Sequence, residues 1–355
     1  MSKRNAPLAP APEGRQEPAP EGRQEGDGRD ADRIVRAKEK AGLARRVSPG
    51  AWVALLIVWL VWGSTYLAIR VGIETIPPLL LAAARTLMAG LIMFPVAMRG
   101  RRAAAHAARE TGEQGQARRY WPARAEWLGC AIVGVLLLVA QGAVGIGEKT
   151  VPSGLAALFV ATVPLWLLGI DAVLNHARLG LAPVAGLALG LAGVGLLSGL
   201  GGRAGGISAT GVAIILGAAA TWALGTIMAG RVTIPSSPAL ATGMQLLSGG
   251  VVLLVLAAAT GEFGSLRLAQ VSAGSWLALG YLTVMGSIVA FSAYGIAVRA
   301  LPTATVATYA YVNPVIAVLL GTLILNERLT SAMIGGGVLV VAAVVLVVRR
   351  RPPAH

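Results

Sequence analysis

Charged side chains are scarce in this sequence. Asp, Glu, Lys and Arg make up 13% of its 355 residues, whereas hydrophobic side chains make up 55%. Because a soluble domain carries about 25% charged residues, this chain has too little charge to cover a water-facing surface. The net charge is +14, but Lys and Arg gather in the first 50 residues and in the connections between apolar stretches. We therefore interpret the basic charge as a determinant of membrane topology and predict no nucleic-acid partner.

Cysteine and histidine are also rare, which excludes several kinds of site. The one cysteine, Cys130, lies within an apolar run, so a disulfide within the chain is excluded. The three histidines, His106, His176 and His355, are far apart, and no Cys/His cluster with metal-ligand spacing occurs. We predict no metal site, no cofactor and no catalytic residue, and therefore a protein that is not an enzyme.

Residues 1–50 form a polar segment. It contains the octapeptide Pro-Ala-Pro-Glu-Gly-Arg-Gln-Glu at 10–17 and again at 18–25. Because a segment with so few apolar residues cannot bury a core, we predict a disordered tail over 1–50.

Ten apolar segments of spanning length follow this tail. A helix needs about 20 apolar residues to cross the hydrocarbon of a bilayer, and the backbone of such a segment must bond within itself, which favours helices over strands. The sequence therefore predicts an all-α integral membrane protein, with the lipid bilayer around ten transmembrane helices at 51–69, 78–98, 127–147, 150–170, 181–200, 208–229, 238–260, 274–297, 302–325 and 330–348.

The distribution of Lys and Arg predicts the orientation of these helices. An even number of crossings puts both termini on one side. Seven arginines lie between the second and third segments, from Arg99 to Arg124, and further basic residues lie in the tail and after residue 348. Because basic residues are retained in the cytoplasm, we predict a multi-pass protein of the cell (inner) membrane with cytoplasmic N- and C-termini.

The second half of the chain repeats the first. Trp62 in the first segment matches Trp222 in the sixth, and the same offset of 160 residues places Arg85 over Gln245. Four such anchors occur in unchanged order, so we assign one five-helix repeat to 51–200 and another to 207–349. Because five is odd, the second repeat enters the membrane in the opposite sense. Inverted repeats are the architecture of many transporters, which bind a solute near the midplane between the repeats.

Several motifs resemble those of the EamA branch of the drug/metabolite transporter superfamily, and together they cover about 52–348. They are Trp62-Gly63-Ser64-Thr65-Tyr66 with Arg70, Ile76-Pro77-Pro78 leading to Arg85, Tyr311-Val312-Asn313-Pro314, Leu320-Gly321 and Asn326-Glu327-Arg328-Leu329. The resemblance implies an inner-membrane permease, often an exporter of amino acids, metabolites or drugs. One position departs from the family pattern: Glu327 follows the ninth segment, but its counterpart after the fourth segment is Ala177.

Arg85 is the strongest candidate for binding a solute. A charge near the middle of a membrane helix costs at least about 2.5–3.5 kcal/mol on insertion scales, so it faces a cavity or a partner. One interpretation is an anchor for an anionic group, such as a carboxylate. The other is a structural arginine bonded to helix-end carbonyls or to Gln141. Its counterpart Gln245 is polar as well, which favours an inward position for both.

Aromatic residues form a second group of candidates. Trp62 and Trp222 lie near the middle of their helices in matching places, and the group also includes Tyr66 and Tyr309. They line a central cavity or pack helices together, and the sequence does not decide between these two roles.

Two prolines at matching positions form a third group. Pro164 and Pro314 each lack an amide donor and free a backbone carbonyl four residues earlier. Interrupted helices in corresponding positions point to a transport site, although a fixed kink that only shapes the bundle is an equal alternative. Asn313 beside Pro314 is polar and is expected to face inward.

Other small and acidic residues have simpler interpretations. Gly186, Gly190, Gly195 and Gly199 space small residues along the fifth segment, which favours helix packing within the chain, with a homodimer as the alternative. Four carboxylates at predicted helix ends are expected to be solvated or to cap helices: Glu74, Glu148, Glu262 and Glu327.

These features together predict a secondary permease that moves a small-molecule solute by alternating access. No ATP-binding loop occurs, so an ion or solute gradient must supply the energy. The alternative is a membrane-embedded structural, sensor or enzyme protein, which would need a cluster of reactive side chains with catalytic spacing inside the bundle.

Overall fold

A computed structural model describes residues 49–110, 121–176, 181–197, 208–301, 303–306 and 308–349. The predicted tail lies outside these residues except for its last two positions. All regular secondary structure in the described residues is helical, and it includes a π-helix at Leu282–Val289 and a short 3-10 helix at Leu268–Gln270. Its α-helices are α1 (Pro49–Gly72), α2 (Pro78–Glu110), α3 (Arg124–Gly147), α4 (Ser153–Val160), α5 (Val163–Leu174), α6 (Leu181–Leu197), α7 (Ala209–Ala229), α8 (Pro238–Ala259), α9 (Glu262–Ser265), α10 (Ala273–Tyr281), α11 (Ala290–Ala300), α12 (Thr303–Val306), α13 (Tyr309–Leu325) and α14 (Ser331–Arg349).

Each of the ten predicted segments coincides with a helix or a pair of helices. In the described residues, seven helical stretches are long and apolar enough to cross a membrane, and three shorter apolar helices lie at Pro183–Leu197, Tyr309–Leu325 and Ser331–Leu346. A membrane protein with several spans is therefore established by length and composition, whereas ten crossings remain a prediction.

Large apolar side chains on the outside of the bundle are consistent with a lipid environment. Exposed leucines occur on α2, α3 and α6, among them Leu91, Leu128 and Leu191. Soluble proteins rarely expose contiguous apolar surface on this scale. The few buried polar side chains of the spans, such as Arg85 and Asn313, lie inside the bundle instead.

The most extensive helix packing joins one half of the chain to the other. Helix α2 packs on α8, and α6 packs on α14. Helix α3 packs on α7, while the matching pair on the other side is α1 with α10 and α11. Helix α5 packs on α7 just as α13 packs on α1. Exchanging the two predicted repeats leaves this list of pairs unchanged, as expected for two similar halves related by a two-fold axis.

Glycines at matching positions allow α2 and α8 to approach closely. A Cβ atom at Gly90 would lie 2.9 Å from Leu247 Cγ, and one at Gly250 would lie 2.8 Å from Leu87 Cγ. Both distances are shorter than ordinary van der Waals contact, so neither position has room for a side chain. Gly90 and Gly250, which the offset of 160 residues also places over each other, thus lie at one crossing point between the halves.

The glycines of the fifth predicted segment also serve packing within the chain. Gly186 and Gly190 are buried in α6, and a Cβ at Gly190 would collide with Leu165 of α5. A Cβ at Gly193 would lie 2.8 Å from Val340 Cγ2 of α14. Small residues are needed here without a second copy of the chain, and a homodimer stays a prediction.

Candidate functional site

Arg85 lies in α2 with 3% of its surface exposed. Its Nε has no hydrogen-bond partner, and no Asp or Glu of the described residues forms an ion pair with it. The hydroxyl of the neighbouring Thr86 donates to the carbonyl of Ala82 at 2.7 Å. A buried arginine without a counter-charge carries a large desolvation cost.

The structural interpretation of Arg85 required a bond to helix-end carbonyls or to Gln141. Neither bond is present among the described residues, and Oε1 of Gln141 is itself buried without a hydrogen-bond partner. Arg85 of α2 and Gln141 of α3 therefore each have a buried polar atom without a hydrogen-bond partner among the described residues. Such groups are exceptional in folded proteins, and an ion, water or ligand is a common explanation for them.

Gln245, the counterpart of Arg85, is half-buried in α8 at the crossing with α3. A Cβ at Gly134 of α3 would collide with the carbonyl oxygen of Gln245. A Cβ at Gly249, one turn further along α8, would lie 2.7 Å from Leu138 Cδ1. Helices α3 and α8 thus pack closely at the level of Gln245, and this packing holds the backbone of Gln245 in position.

Trp62 stands at the centre of an aromatic cluster contributed by α1, α11 and α13. Its ring centroid lies 5.4 Å from that of Phe291, 5.3 Å from that of Tyr294 and 5.3 Å from that of Tyr309. Tyr294 and Tyr309 also contact each other, with centroids 6.0 Å apart. These separations suit edge-to-face and offset ring pairs.

The sequence interpretation included Trp62 and Tyr309 but missed Phe291. The available signal was the spacing of Phe291 and Tyr294, because residues three apart share one face of a helix.

The π-helix lies next to this cluster and was not predicted. It begins directly after Tyr281, whose hydroxyl shares a hydrogen bond of 2.6 Å with the hydroxyl of Ser64. Ser287 donates to the carbonyl of Leu282, five residues earlier, at 3.0 Å. Segments of π-helix are rare and occur frequently at functional sites. Neither apolar length nor hydrophobic periodicity distinguishes a π-helical segment from an α-helix.

Tyr66 and Trp222 belong to a different cluster from Trp62. They pack together with Ala140 and Val144 of α3 and Ala218 of α7. Trp222 also contacts the buried Val163 cluster at the start of α5. The predicted aromatic residues therefore line two separate regions rather than one.

Asn313 is buried, as expected, but it is satisfied within the protein. With its amide oriented to fulfil its hydrogen bonds, the nitrogen donates to the carbonyls of Trp59 at 3.2 Å and Tyr309 at 3.3 Å. Trp59 Nε1 in turn donates to the hydroxyl of Thr308 at 3.1 Å. These bonds hold α13 against α1, so Asn313 has a helix-packing role in this conformation.

The two prolines are placed differently. Pro164 lies in the first turn of α5, directly after the break at residues 161–162 that separates α4 from α5. Pro314 lies inside α13, which continues through it. The helix is thus not broken at Pro314 itself, where the ring removes the hydrogen bond to the carbonyl four residues earlier. The non-helical residue in this region is Thr308, directly before Tyr309.

Two of the four carboxylates at helix ends cap other helices. Glu327 accepts hydrogen bonds from the backbone and hydroxyl of Ser153 at 2.7 and 2.8 Å and from the backbone of Gly154 at 3.1 Å. Glu262 accepts from the backbone of Leu80 at 3.0 Å. Glu74 is exposed to solvent. Capping and solvation, the expected roles, describe these three residues.

Glu148 contradicts that expectation. Its side chain is completely buried, and neither carboxylate oxygen has a hydrogen-bond partner among the described residues. The burial of Glu148 could not be predicted from its neighbours, because Lys149 and Thr150 indicate a polar connection at this point of the chain.

Comparison with known proteins relates the whole apolar region to membrane transporters. The EamA-like transporter family matches twice, at residues 49–199 and 209–349. The inner membrane transporter YedA of Escherichia coli (strain K12) is 37% identical over 272 residues, which cover 76% of this chain and 81% of YedA. The transporter YvbV of Bacillus subtilis (strain 168) is 30% identical over 292 residues, covering 81% of this chain and 88% of YvbV.

A more distant relative and a solved structure agree with these matches. A probable amino-acid metabolite efflux pump of Salmonella typhimurium is 25% identical over 297 residues, covering 80% of this chain and 89% of the pump. One crystal structure superposes with a TM-score of 0.52 over 83% of this chain and 95% of that chain, at 22% identity, which shows a likeness of fold. The chain thus belongs to the EamA-like transporter family and is a multi-pass inner membrane transporter.

Proposed function

We propose that this transporter is a secondary permease that exports a small metabolite bearing an anionic group. The observation that carries the proposal is the burial of Arg85 in α2 without an ion-pair partner among the described residues. A guanidinium presents several N–H donors in a fixed fork that suits a carboxylate. The aromatic cluster around Trp62 supplies an apolar surface for the rest of such a solute. An amino acid or a related metabolite has both features.

The proposed mechanism is alternating access between two inverted five-helix repeats at 51–200 and 207–349. Two observations support it. The family model matches the chain twice, with bounds close to these, and the main packing pairs are unchanged when the halves are exchanged. In this mechanism the solute binds near the midplane, and rocking of one half against the other opens the site to each side in turn.

The proposed orientation has both termini in the cytoplasm. The end of the bundle with the connections 73–77, 148–152, 260–272 and 326–330, here called the Glu148 end, then faces outward. The arginines between α2 and α3 support this orientation through the positive-inside rule. Two reporters fused after His355 test this orientation: a protein that fluoresces only in the cytoplasm and a phosphatase that is active only in the periplasm. A fluorescent first fusion is expected, whereas a non-fluorescent first fusion together with an active phosphatase fusion would reverse the assignment.

Metabolite profiling tests the proposed function and the role of Arg85 together. Spent medium is compared between cells that overexpress the wild-type chain and cells that carry the empty vector. We expect one or a few anionic or zwitterionic metabolites to accumulate with the wild type, to return to background with Arg85→Ala, and to recover in part with Arg85→Lys, which keeps the charge but loses the fork.

The matched control is Arg328→Ala, because Arg328 is an exposed arginine at a helix connection. Its export is expected to equal that of the wild type. Undiminished export by Arg85→Ala, with normal membrane insertion, would remove the anion anchor from the proposal. No metabolite above background for the wild type would contradict export itself.

A further inference from the structure

Glu148 is a buried carboxyl group that the proposed solute site does not use. It follows the last residue of α3, at the boundary of the membrane-spanning stretch Arg124–Gly147. Its side chain has 0% exposure, and both carboxylate oxygens are buried without a hydrogen-bond donor. An ionised carboxylate in such a place has lost its hydration without compensation, and groups in this situation are held neutral instead.

The nearest arginine does not compensate this carboxylate. Arg70, at the end of α1, donates through Nη1 to the backbone carbonyl of Glu148, and no ion pair to the Glu148 carboxylate is formed. Arg70 therefore satisfies a carbonyl at the C-terminus of α3, where cations are favourable. Its electrostatic attraction still reaches the carboxyl group but is outweighed by burial.

A second carboxylate makes the ionised form still less favourable. Glu327 lies at the same end and keeps its own charge satisfied by three hydrogen bonds from Ser153 and Gly154. Burial, and to a smaller extent repulsion by Glu327, raise the pKa of the Glu148 carboxyl well above its usual range, against the opposing effect of Arg70.

The other elements packed around Glu148 contribute little charge. Tyr66 of α1 lies within electrostatic range of it. The first turns of α7, which meet α3 where a Cβ at Gly147 would collide with Ile215, contain no ionisable side chain, and neither does α4. Burial therefore acts most strongly on the charge of Glu148, followed by Arg70 and then Glu327.

We propose that Glu148 is a proton-binding site that controls the opening of this end of the bundle, a role that rests on the transport function proposed above. While the Glu148 end is closed, a carboxyl oxygen keeps its proton. When the end opens, water reaches the carboxyl, the proton passes to that water, and the carboxylate remains hydrated beside Arg70.

The direction of the pH dependence follows from linkage. Because the closed conformation has the raised pKa, it is stabilised by protonation of Glu148 at low pH, and this stabilisation is lost as the pH rises through that raised value. The open conformation, with a hydrated carboxyl, is favoured at high pH. An acidic exterior would thus favour the closed outer end with a proton bound, and an alkaline exterior would favour the open outer end.

Infrared spectroscopy of the reconstituted full-length protein tests the proton directly. At neutral pH we expect the C=O stretching band of a protonated carboxyl, which disappears in Glu148→Gln and persists in the control Glu74→Gln, since Glu74 is an exposed carboxylate of the same end. Glu148→Asp shifts the band and replaces Glu148→Gln if the latter does not fold. A wild-type spectrum without such a band, or a band unchanged in the Glu148 variants, overturns the proposal.

Cysteine labelling tests the control of opening. Val151 is 1% exposed and lies three residues from Glu148, whereas the adjacent Thr150 is exposed. In a Cys130→Ala background, the labelling rate of Val151→Cys by a membrane-impermeant maleimide is divided by that of Thr150→Cys, which removes the pH dependence of the thiol itself.

At pH values below the pKa of Glu148, we expect this labelling ratio to increase about tenfold with each unit by which the pH is raised, because the ionised fraction of Glu148 increases by that factor. The ratio is expected to stay low at every pH with Glu148→Gln and to rise as in the wild type with Glu74→Gln. A pH-independent ratio in the wild type overturns the control of opening. Neither measurement needs a transported solute, so both outcomes are separable from a failure of export.

Discussion

The two halves of the chain carry matching tryptophans in different surroundings. Trp62 of α1 contacts three aromatic rings from α11 and α13. Trp222 of α7 occupies the matching place but packs against small aliphatic residues, such as Ala140 and Val163. The helices around Trp62 include a π-helix, whereas α3, which holds the corresponding place beside Trp222, is α-helical throughout.

Two carboxylates at the Glu148 end also differ, although they are not counterparts in the repeat. Glu327, from the second half, is held by three hydrogen bonds at the start of α4. Glu148, from the first half, has none. A repeated architecture thus fixes where side chains stand, while the neighbours supplied by the other half decide what each one does. We expect the two halves to contribute unequally to stability and to transport.

The largest difference is expected between the two tryptophans. Trp62→Leu loses three ring pairs, each worth about 0.5–1.5 kcal/mol beyond its buried area, and should lower the free energy of unfolding by about 2–4 kcal/mol more than Trp222→Leu. Thermal unfolding of both variants in the same detergent measures this. Equal melting temperatures of the two variants would mean that the aromatic cluster around Trp62 adds no stability beyond the packing around Trp222.

Removal of the Glu327 carboxylate should have the next largest effect. Glu327→Ala leaves the backbone donors of Ser153 and Gly154 without partners, and hydrogen bonds to charged groups are worth about 1.5–3 kcal/mol. We expect a lower melting temperature than for Glu74→Gln, which removes an exposed charge at the same end. If both variants melt together, the bonds of Glu327 are not part of what holds α4 in place.

The smallest effect is expected at the start of the π-helix. Tyr281→Phe removes the one hydrogen bond to Ser64, which is worth about 0.5–1.5 kcal/mol. Ser64→Ala should cost about as much, and the double variant should cost no more than either single one, because both remove the same bond. Thermal unfolding of the three variants measures the coupling free energy between the hydroxyls of Tyr281 and Ser64. Additive losses of stability in the double variant would show that the two hydroxyls act independently.

Local pattern was enough to predict most of the helices and to single out Arg85. Helix α3 and α8 agree with their predicted segments within a few residues because runs of about 20 apolar residues have no other stable form in lipid. The local pattern did not predict that α13 continues through Pro314, nor that Leu282–Val289 forms a π-helix. Both depend on which side chains of another helix stand opposite, and those lie far away in the sequence.

Composition and apolar length by themselves determined that the protein crosses a membrane several times, since the bilayer imposes these features on any sequence that spans it. The motifs around Trp62 and Glu327 added the resemblance to the EamA-like family. Only the tertiary structure decided which polar groups are satisfied. It paired Trp62 with Phe291, gave Glu327 three donors, and left Arg85 and Glu148 with none. Burial and pairing are properties of surroundings drawn from both halves of the chain, and no stretch of sequence contains them.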